Sequence, residues 1–407
     1  MEIQGKNYIG SELSNFGEKT FRAYDPRAGK EIDPPFHEAT QDEVERALEL
    51  ADAAAAQFRT FEADRTIGFL GVVRREIQAL GDQLVERAAQ ETGLDVNRLK
   101  GERERTLNQI SLFVNIVKEG SWVDARIDTA LPERKPLPRP DIRRMLQPIG
   151  PVAVFGASNF PLAFSVAGGD TISAFAARNP VIVKAHPAHP GTSELVASAI
   201  ARAVKLTSMP EGSFSMVHGT GADVGMALAT HAKTRAVAFT GSQRAGRALF
   251  NAAARRPEPI PVFAEMGSTN PVFVLPGALE SDGQKVAEGL FRSVLMGTGQ
   301  FCTSPGLVFG VESDSFTKFR ELLIGNFEES SPGTMLNAGI RDAYAADFQK
   351  ASQVKGVRFF EAARGAEAER TEGRPGILVT HADTWLRNEE LHKEIFGPAT
   401  VLVSCGS

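Results

Sequence analysis

The sequence predicts an α/β fold organised around a parallel sheet, and three observations carry that prediction. Short apolar runs at 151–155, 180–183, 213–217 and 236–239 are each followed by helical periodicity, at 161–178, 191–205, 221–230 and 243–255. Such alternation marks strands buried on both faces and joined by helical crossovers. A chain of 407 residues has material for two or three domains with large cores. Its composition, 42% hydrophobic and 23% charged, is that of an ordinary globular protein.

The elements follow in order. Thr40 and Glu43 form a capping-box pair ahead of Val44, Ala47, Leu48 and Ala51, which recur at helical spacing. Further helices are expected at 63–79, 82–92 and 97–118. The proline-punctuated stretch from Ala125 to Pro140 suits neither a helix nor a central strand and reads as an exposed arm or crossover. After the strand–helix pairs, the 243–255 helix ends in Arg255-Arg256-Pro257-Glu258-Pro259, a boundary. A second α/β block is expected beyond it, with strands at 262–264, 271–275 and 307–311 and helices near 281–297 and 314–328.

Composition excludes several functions. Lysine and arginine number 45 against 50 acidic residues, so at a net charge of −5 there is no broad basic field for nucleic acid or an anionic membrane. The two cysteines, Cys302 and Cys405, form no Cys-x-x-Cys pair, which speaks against a disulfide framework and a thiolate metal site. The N-terminus lacks a basic head before an apolar run, and no stretch of about 20 apolar residues occurs. The sequence reads as a soluble, cytoplasmic protein without a metal.

Three residues stand where chemistry is expected. Cys302 lies in Gly297-Thr298-Gly299-Gln300-Phe301-Cys302-Thr303-Ser304, a loop too polar for core, so the thiol is a nucleophile candidate. Cys405 follows an apolar run and reads as a strand residue. Glu265 ends an apolar strand, where burial is expected to raise its pKa towards the range of a general base. Asn159 is an amide in an apolar segment, either a turn residue or a donor for a developing oxyanion. Phe239-Thr240-Gly241-Ser242, with Gly246 four residues on, joins a strand to a helix; free N–H groups there suit a phosphate, although any β–α turn also uses glycine. His186 and His189 bracket Pro187 and have no acidic or thiol neighbour, so a surface loop is expected rather than a metal site.

Taken together, these segments resemble the aldehyde dehydrogenase superfamily. The resemblance is carried in order by Ala157-Ser158-Asn159-Phe160-Pro161, Val183-Lys184, Phe239-Thr240-Gly241-Ser242, Glu265-Met266-Gly267 with Asn270-Pro271, Gly299-Gln300-Phe301-Cys302 and Glu394-Ile395-Phe396-Gly397-Pro398. Finer segments at 120–128, 155–170 and 184–191 resemble its α-ketoglutarate semialdehyde (2,5-dioxopentanoate) dehydrogenase branch. The resemblance implies an aldehyde dehydrogenase-like fold: a Rossmann-like cofactor domain (1–120 and 144–257), a small oligomerisation arm (121–143) and an α/β catalytic domain (258–407). Superfamily members continue past Glu-Ile-Phe-Gly-Pro to an oligomerisation strand, a segment expected to be absent before Ser407.

The implied activity is NAD(P)-dependent oxidation of an aldehyde to an acid, with 2,5-dioxopentanoate giving 2-oxoglutarate. Cys302 would form a thiohemiacetal and then a thioester, Asn159 would hold the oxyanion, and Glu265 would activate water. Thr240, Gly241, Ser242 and Gly246 would line the cofactor, with Lys184 and Glu394 on ribose hydroxyls. A homodimer or homotetramer is implied. Other aldehydes, a CoA-acylating enzyme and a non-catalytic protein on the same fold are the alternatives; the set Asn159, Glu265 and Cys302 argues against the last two.

Two departures refine this. NAD-preferring members carry a glutamate three residues after the lysine, where Pro187 stands here. Without a carboxylate to repel a 2′-phosphate, NADP is expected to bind at least as well as NAD. Succinate-semialdehyde relatives carry an arginine eight residues after the asparagine, where Ala167 stands here. Arg103 and Arg105 are the candidates for holding a substrate carboxylate, against a role in helix-surface ion pairs.

Overall fold

Thr40 caps the first long helix as its sequence requires. Its hydroxyl accepts the Glu43 N–H at 3.2 Å, and the Glu43 carboxylate accepts the Thr40 N–H at 2.8 Å. The helix, Gln41–Phe58, turns Val44, Ala47, Leu48 and Ala51 inward. Helices Ala63–Ala79, Gly81–Thr92 and Val96–Glu119 follow within a residue of their expected bounds. The computed structural model describes residues 2–406. They divide into two compact units, one of segments up to Ala23, Asp33–Arg87 and Val96–Met266, the other of Tyr24–Ile32, Ala88–Asp95 and the chain from Gly267 onward.

The first unit holds a seven-stranded sheet in the order Val262–Met266, Ala236–Gly241, Val152–Phe155, Val181–Lys184, Phe214–Val217, Asn7–Ile9, Glu12–Ser14. The first five strands run parallel, Asn7–Ile9 runs antiparallel to Phe214–Val217, and Glu12–Ser14 antiparallel to Asn7–Ile9. Alternate residues go to opposite faces, as strand geometry demands. Val154, Val183, Met216 and Ala238 pack into one core with Phe69, Leu70 and Phe175, while Ala153, Ile182 and Val237 pack into another with Leu48, Ala51 and Leu249. Both faces are therefore covered, which is why these strands read as unbroken apolar runs.

The second unit has a five-stranded sheet ordered Pro271–Val274, Leu307–Val311, Ala399–Cys405, Gly376–His381, Arg358–Glu361, parallel except for the last. One core gathers Phe316, Phe319, Leu323 and Phe327 from helix Asp314–Glu329; another gathers Met335, Tyr344 and Phe348. Cys405 ends the Ala399–Cys405 strand, as expected.

Three sequence expectations need correction. The strand expected to open the second block, Val262–Met266, pairs instead with Ala236–Gly241 in the first sheet. A single helix, Gln243–Ala254, links the two, the short helical crossover by which adjacent parallel strands are joined. The helix expected at 161–178 forms only over Gly169–Ala176. Ahead of it the chain doubles back: Ala157 N–H donates to Phe164 O at 2.8 Å, and a Cβ on Gly168 would lie 2.8 Å from Ala163 O. His189, expected in a surface loop, is fully buried. Its ring nitrogens meet Ala157 O at 2.8 Å and Ser193 Oγ at 3.2 Å, bracing the turn that leads to Asn159.

The stretch after Gly120 does form an exposed arm. Arg126–Asp128 pairs antiparallel with Ile142–Arg144, and Leu131 bridges Arg139.

Candidate active site

Register aligns most of the sequence-predicted residues of the first unit along one edge of its sheet. Glu265 lies opposite Thr240, Phe239 opposite Phe155, and Phe155 opposite Lys184. The C-terminal ends of four neighbouring parallel strands therefore carry Glu265, then Thr240-Gly241-Ser242, then the loop to Asn159, then Lys184. Ligands of open parallel sheets bind outside such strand ends.

Each position has its own environment. Glu265 is exposed, not buried as expected, because Val262–Met266 is an edge strand. Ser242 caps helix Gln243–Ala254 through the Ala245 N–H, and Gly241 and Ser242 are exposed at the helix start, where N–H groups and the helix dipole suit an anion. Gly246 sits elsewhere. It is buried, and a Cβ there would lie 2.3 Å from Met266 Cγ, so its missing side chain serves close helix–strand packing rather than ligand approach.

Asn159 is 8% exposed and is braced from helix Val96–Glu119. Arg98 donates to Asn159 O at 2.6 Å, and the buried Glu102 carboxylate accepts the N–H groups of Leu162 and Ala163 at 2.8 and 3.0 Å. Burial pushes the Glu102 carboxyl up, with those two N–H bonds and Arg98 opposing. Arg105, on the same helix, is exposed and lies over the rings of Phe160 and Phe164, 5.6 and 5.0 Å from their centres. Arg103 instead donates to Gly81 O at 3.0 Å and pairs with Glu104.

Lys184 is half-buried, and desolvation lowers its pKa to about 8, with Glu38 opposing the shift. Beside it His186 is pushed well below its usual value by burial, then by His189 and Lys184.

The second unit carries Cys302 on a loop held by its backbone. Asn270 Nδ2 donates to Cys302 O at 2.8 Å and to Ser304 O at 3.0 Å, and the Ser268 hydroxyl also donates to Cys302 O. Gln300, 1% exposed, donates to Gly297 O and accepts the Leu336 N–H. Gly299 has φ +68°, and a Cβ there would lie 2.0 Å from Gly397 O, so no other residue fits. Glu394 accepts the Ser268 N–H at 3.1 Å, and burial raises its pKa against that bond. Cys302 and Glu394 are thus linked through Ser268. The thiol's residue is partly exposed.

The chain matches the model of the aldehyde dehydrogenase family over residues 14–406. It is 46% identical over 406 residues to an alpha-ketoglutaric semialdehyde dehydrogenase 2 of Azospirillum brasilense, covering 100% of this chain and 77% of that protein. To an alpha-ketoglutaric semialdehyde dehydrogenase of Acinetobacter baylyi it is 41% identical, covering 99% and 76%. The chain belongs to the aldehyde dehydrogenase family. It is accordingly an NAD(P)-dependent oxidoreductase of that family. The fold is likewise shared with a 1-pyrroline-5-carboxylate dehydrogenase from Thermus with bound NAD, at a TM-score of 0.82 and 19% identity, covering 99% of this chain and 76% of that one.

Sequence reasoning missed the residues that hold the aldehyde dehydrogenase motifs in place. Asn270 stands in a motif without a role, Ser268 falls between two motif segments, and Arg98 and Glu102 show only as polar positions of a helix. Glu38 lies 146 positions before Lys184, and no local pattern announces their proximity. Among the described residues no three histidine, cysteine, aspartate or glutamate side chains gather as a metal site, and no helix is long and apolar enough to cross a membrane.

Proposed function

We propose that this chain oxidises 2,5-dioxopentanoate to 2-oxoglutarate, by the roles its residues inherit from the family motifs. The observation that carries the reading is identity of 46% and 41%, over essentially the whole chain, to two alpha-ketoglutaric semialdehyde dehydrogenases. The strand-end row Glu265, Thr240–Ser242, Asn159 and Lys184, and the braced Cys302 loop, support it.

The Cys302 thiolate attacks the aldehyde carbon, forming a C–S bond while the carbonyl π pair moves onto oxygen to give a negative oxygen. The Asn159 amide and the Cys302 backbone N–H donate to that oxygen; one such donor typically contributes ~10²–10³ in rate. A nicotinamide cofactor, when bound, would supply the hydride acceptor, and the residues of this chain hold the adduct with its carbon presented for that transfer. A thioester then remains on Cys302. Glu265 takes a proton from water, the hydroxide adds to the thioester carbonyl, and the Cys302 thiolate departs as the acid forms. An exposed Glu265 suits this role, since it must reach water.

The residues fit the cofactor. Exposed Gly241 and Ser242 at a helix start suit the pyrophosphate, and Lys184 and Glu394 offer a donor and an acceptor for ribose hydroxyls. The substrate's distal carboxylate needs a cation, and Arg105, exposed and held on the two rings beside Asn159, supplies it better than the engaged Arg103. Two or four copies of the chain associate through the exposed ribbon 126–144.

The deciding experiment follows NAD(P)H at 340 nm with a panel of aldehydes. 2,5-Dioxopentanoate is expected to be the best substrate, Cys302→Ala to be inactive with cofactor binding intact, and Glu265→Gln to give a burst of NAD(P)H before slow turnover. Turnover by Cys302→Ala overturns the mechanism. A preference for uncharged aldehydes overturns the substrate.

A further inference from the structure

The position three residues after Lys184 is Pro187, and on sequence alone this removes the carboxylate that discriminates between the two nicotinamide cofactors. The structure brings another carboxylate to the place. Glu38 follows strand Lys30–His37, and two backbone bonds fix it: its N–H donates to Lys19 O at 2.9 Å, and the Ala39 N–H donates to His218 O at 3.0 Å. His218 directly follows strand Phe214–Val217, whose Val217 lies in register with Lys184. Glu38 therefore stands at the C-terminal edge of the parallel sheet, one strand from the lysine.

Its carboxylate is oriented as well as placed. Oε1 accepts the Thr220 backbone N–H at 3.4 Å and the Thr220 hydroxyl, and Oε2 accepts Lys19 Nζ at 3.0 Å. An ionised carboxylate offers about four lone-pair sites, so these three donors leave one on Oε2. The side chain is 11% exposed, enough to present that site to a ligand. Burial alone would raise its pKa, but the Thr220 hydroxyl and Lys19 outweigh it and hold the group ionised. His186, the other neighbour of Lys184, is kept neutral by burial and adds no positive charge for a phosphate.

We propose that Glu38 is the cofactor-selecting carboxylate of this chain, accepting the adenosine 2′-hydroxyl of NAD and repelling the 2′-phosphate of NADP. The proposal rests on the NAD(P) reading of this strand-end site, and it reverses the preference expected from Pro187. Specificity here comes as much from repulsion as from the new hydrogen bond.

The test is the ratio of dissociation constants for NAD⁺ and NADP⁺, measured by calorimetry on the whole chain without substrate. Wild type is expected to bind NAD⁺ at least tenfold more tightly than NADP⁺. Glu38→Gln is expected to bring the two within about threefold, and Glu38→Arg to invert the preference. Were Glu38 only a brace for the Thr220 loop, both variants would weaken the two cofactors equally and leave the ratio unchanged, and that result overturns the proposal. A wild type that already prefers NADP⁺ overturns it too. Failure of wild type to bind either cofactor overturns the NAD(P) reading itself, a different and distinguishable outcome.

Discussion

At the scale of single residues, charge placement decides what this site can recognise. Arg105 is exposed on two ring faces, a geometry that fixes the guanidinium without occupying it in an ion pair of the Arg103–Glu104 kind. Arg105→Met keeps the apolar stem over the rings and removes the charge. It is expected to raise KM for 2,5-dioxopentanoate roughly 10- to 150-fold, the scale of one charged contact of about 1.5–3 kcal/mol, and to leave an uncharged aldehyde of similar length unaffected. Equal losses on both substrates would place the carboxylate elsewhere. Lys184 makes a different prediction. Folding lowers its pKa to about 8, whereas the unfolded side chain holds its proton to about 10.4. Below pH 8 both states are protonated and the fold bears the full cost of the buried charge. Between pH 8 and about 10.4 the unfolded state binds more protons, so stability rises with pH. Lys184→Met removes that cost and is expected to be more stable by about 1–2 kcal/mol at pH 7, a figure discounted for partial exposure. The gap between variant and wild type, read by urea titration, should shrink towards pH 10; a constant gap would assign it to packing.

At the scale of elements, what was legible in the sequence and what was not have separable physical causes. Strands buried on both faces announced themselves as apolar runs, and the Thr40–Glu43 box located its helix start because capping is local chemistry. Strand pairing is not local, so the sequence groups Val262–Met266 with the second block, and only the crossover through Gln243–Ala254 fixes it in the first sheet. For the same reason Glu265 was expected to be buried, when an edge strand leaves it exposed. His189 looked like loop because its partners, Ala157 O and Ser193 Oγ, satisfy it only in the folded turn. The Cys302 loop shows how far a motif reaches. Its glycines were legible, but its tether is Asn270, 32 residues earlier, whose amide faces two carbonyls. Asn270→Asp keeps the shape and turns a donor into a charged acceptor against Cys302 O and Ser304 O. It is expected to slow thioester formation at least 100-fold while leaving NAD⁺ affinity within about twofold, as checked by single-turnover NADH release and calorimetry. An unchanged burst would show that the loop holds its geometry without Asn270.

At the scale of the whole molecule, the exposed ribbon is the feature that a monomer explains least. It exposes Ile127 at 64%, Leu137 at 69% and Ile142 at 50%, and Met145, Leu146 and Ile149 continue the apolar surface towards the sheet. In the pairing Ile127 lies opposite Arg143 and Ile142 opposite Asp128, so the ribbon exposes an apolar side chain on each of its faces. A two-stranded ribbon is also marginal by itself, so a partner that covers one face would stabilise it. A second copy of the chain is the natural partner, since two-fold association brings the same patch from both subunits together. Replacing Ile127 and Leu137 with glutamate puts like charges into that self-complementary surface, where each must be desolvated beside its symmetry mate. The double variant is expected to sediment as a monomer at micromolar concentration while the wild type sediments as a dimer or tetramer. Because the ribbon packs little into the cores built on Val154 or Ala153, the far-ultraviolet spectrum and NAD⁺ binding should survive the substitution. A wild type that stays monomeric at high micromolar concentration, or a double variant that associates as before, would take the ribbon out of assembly.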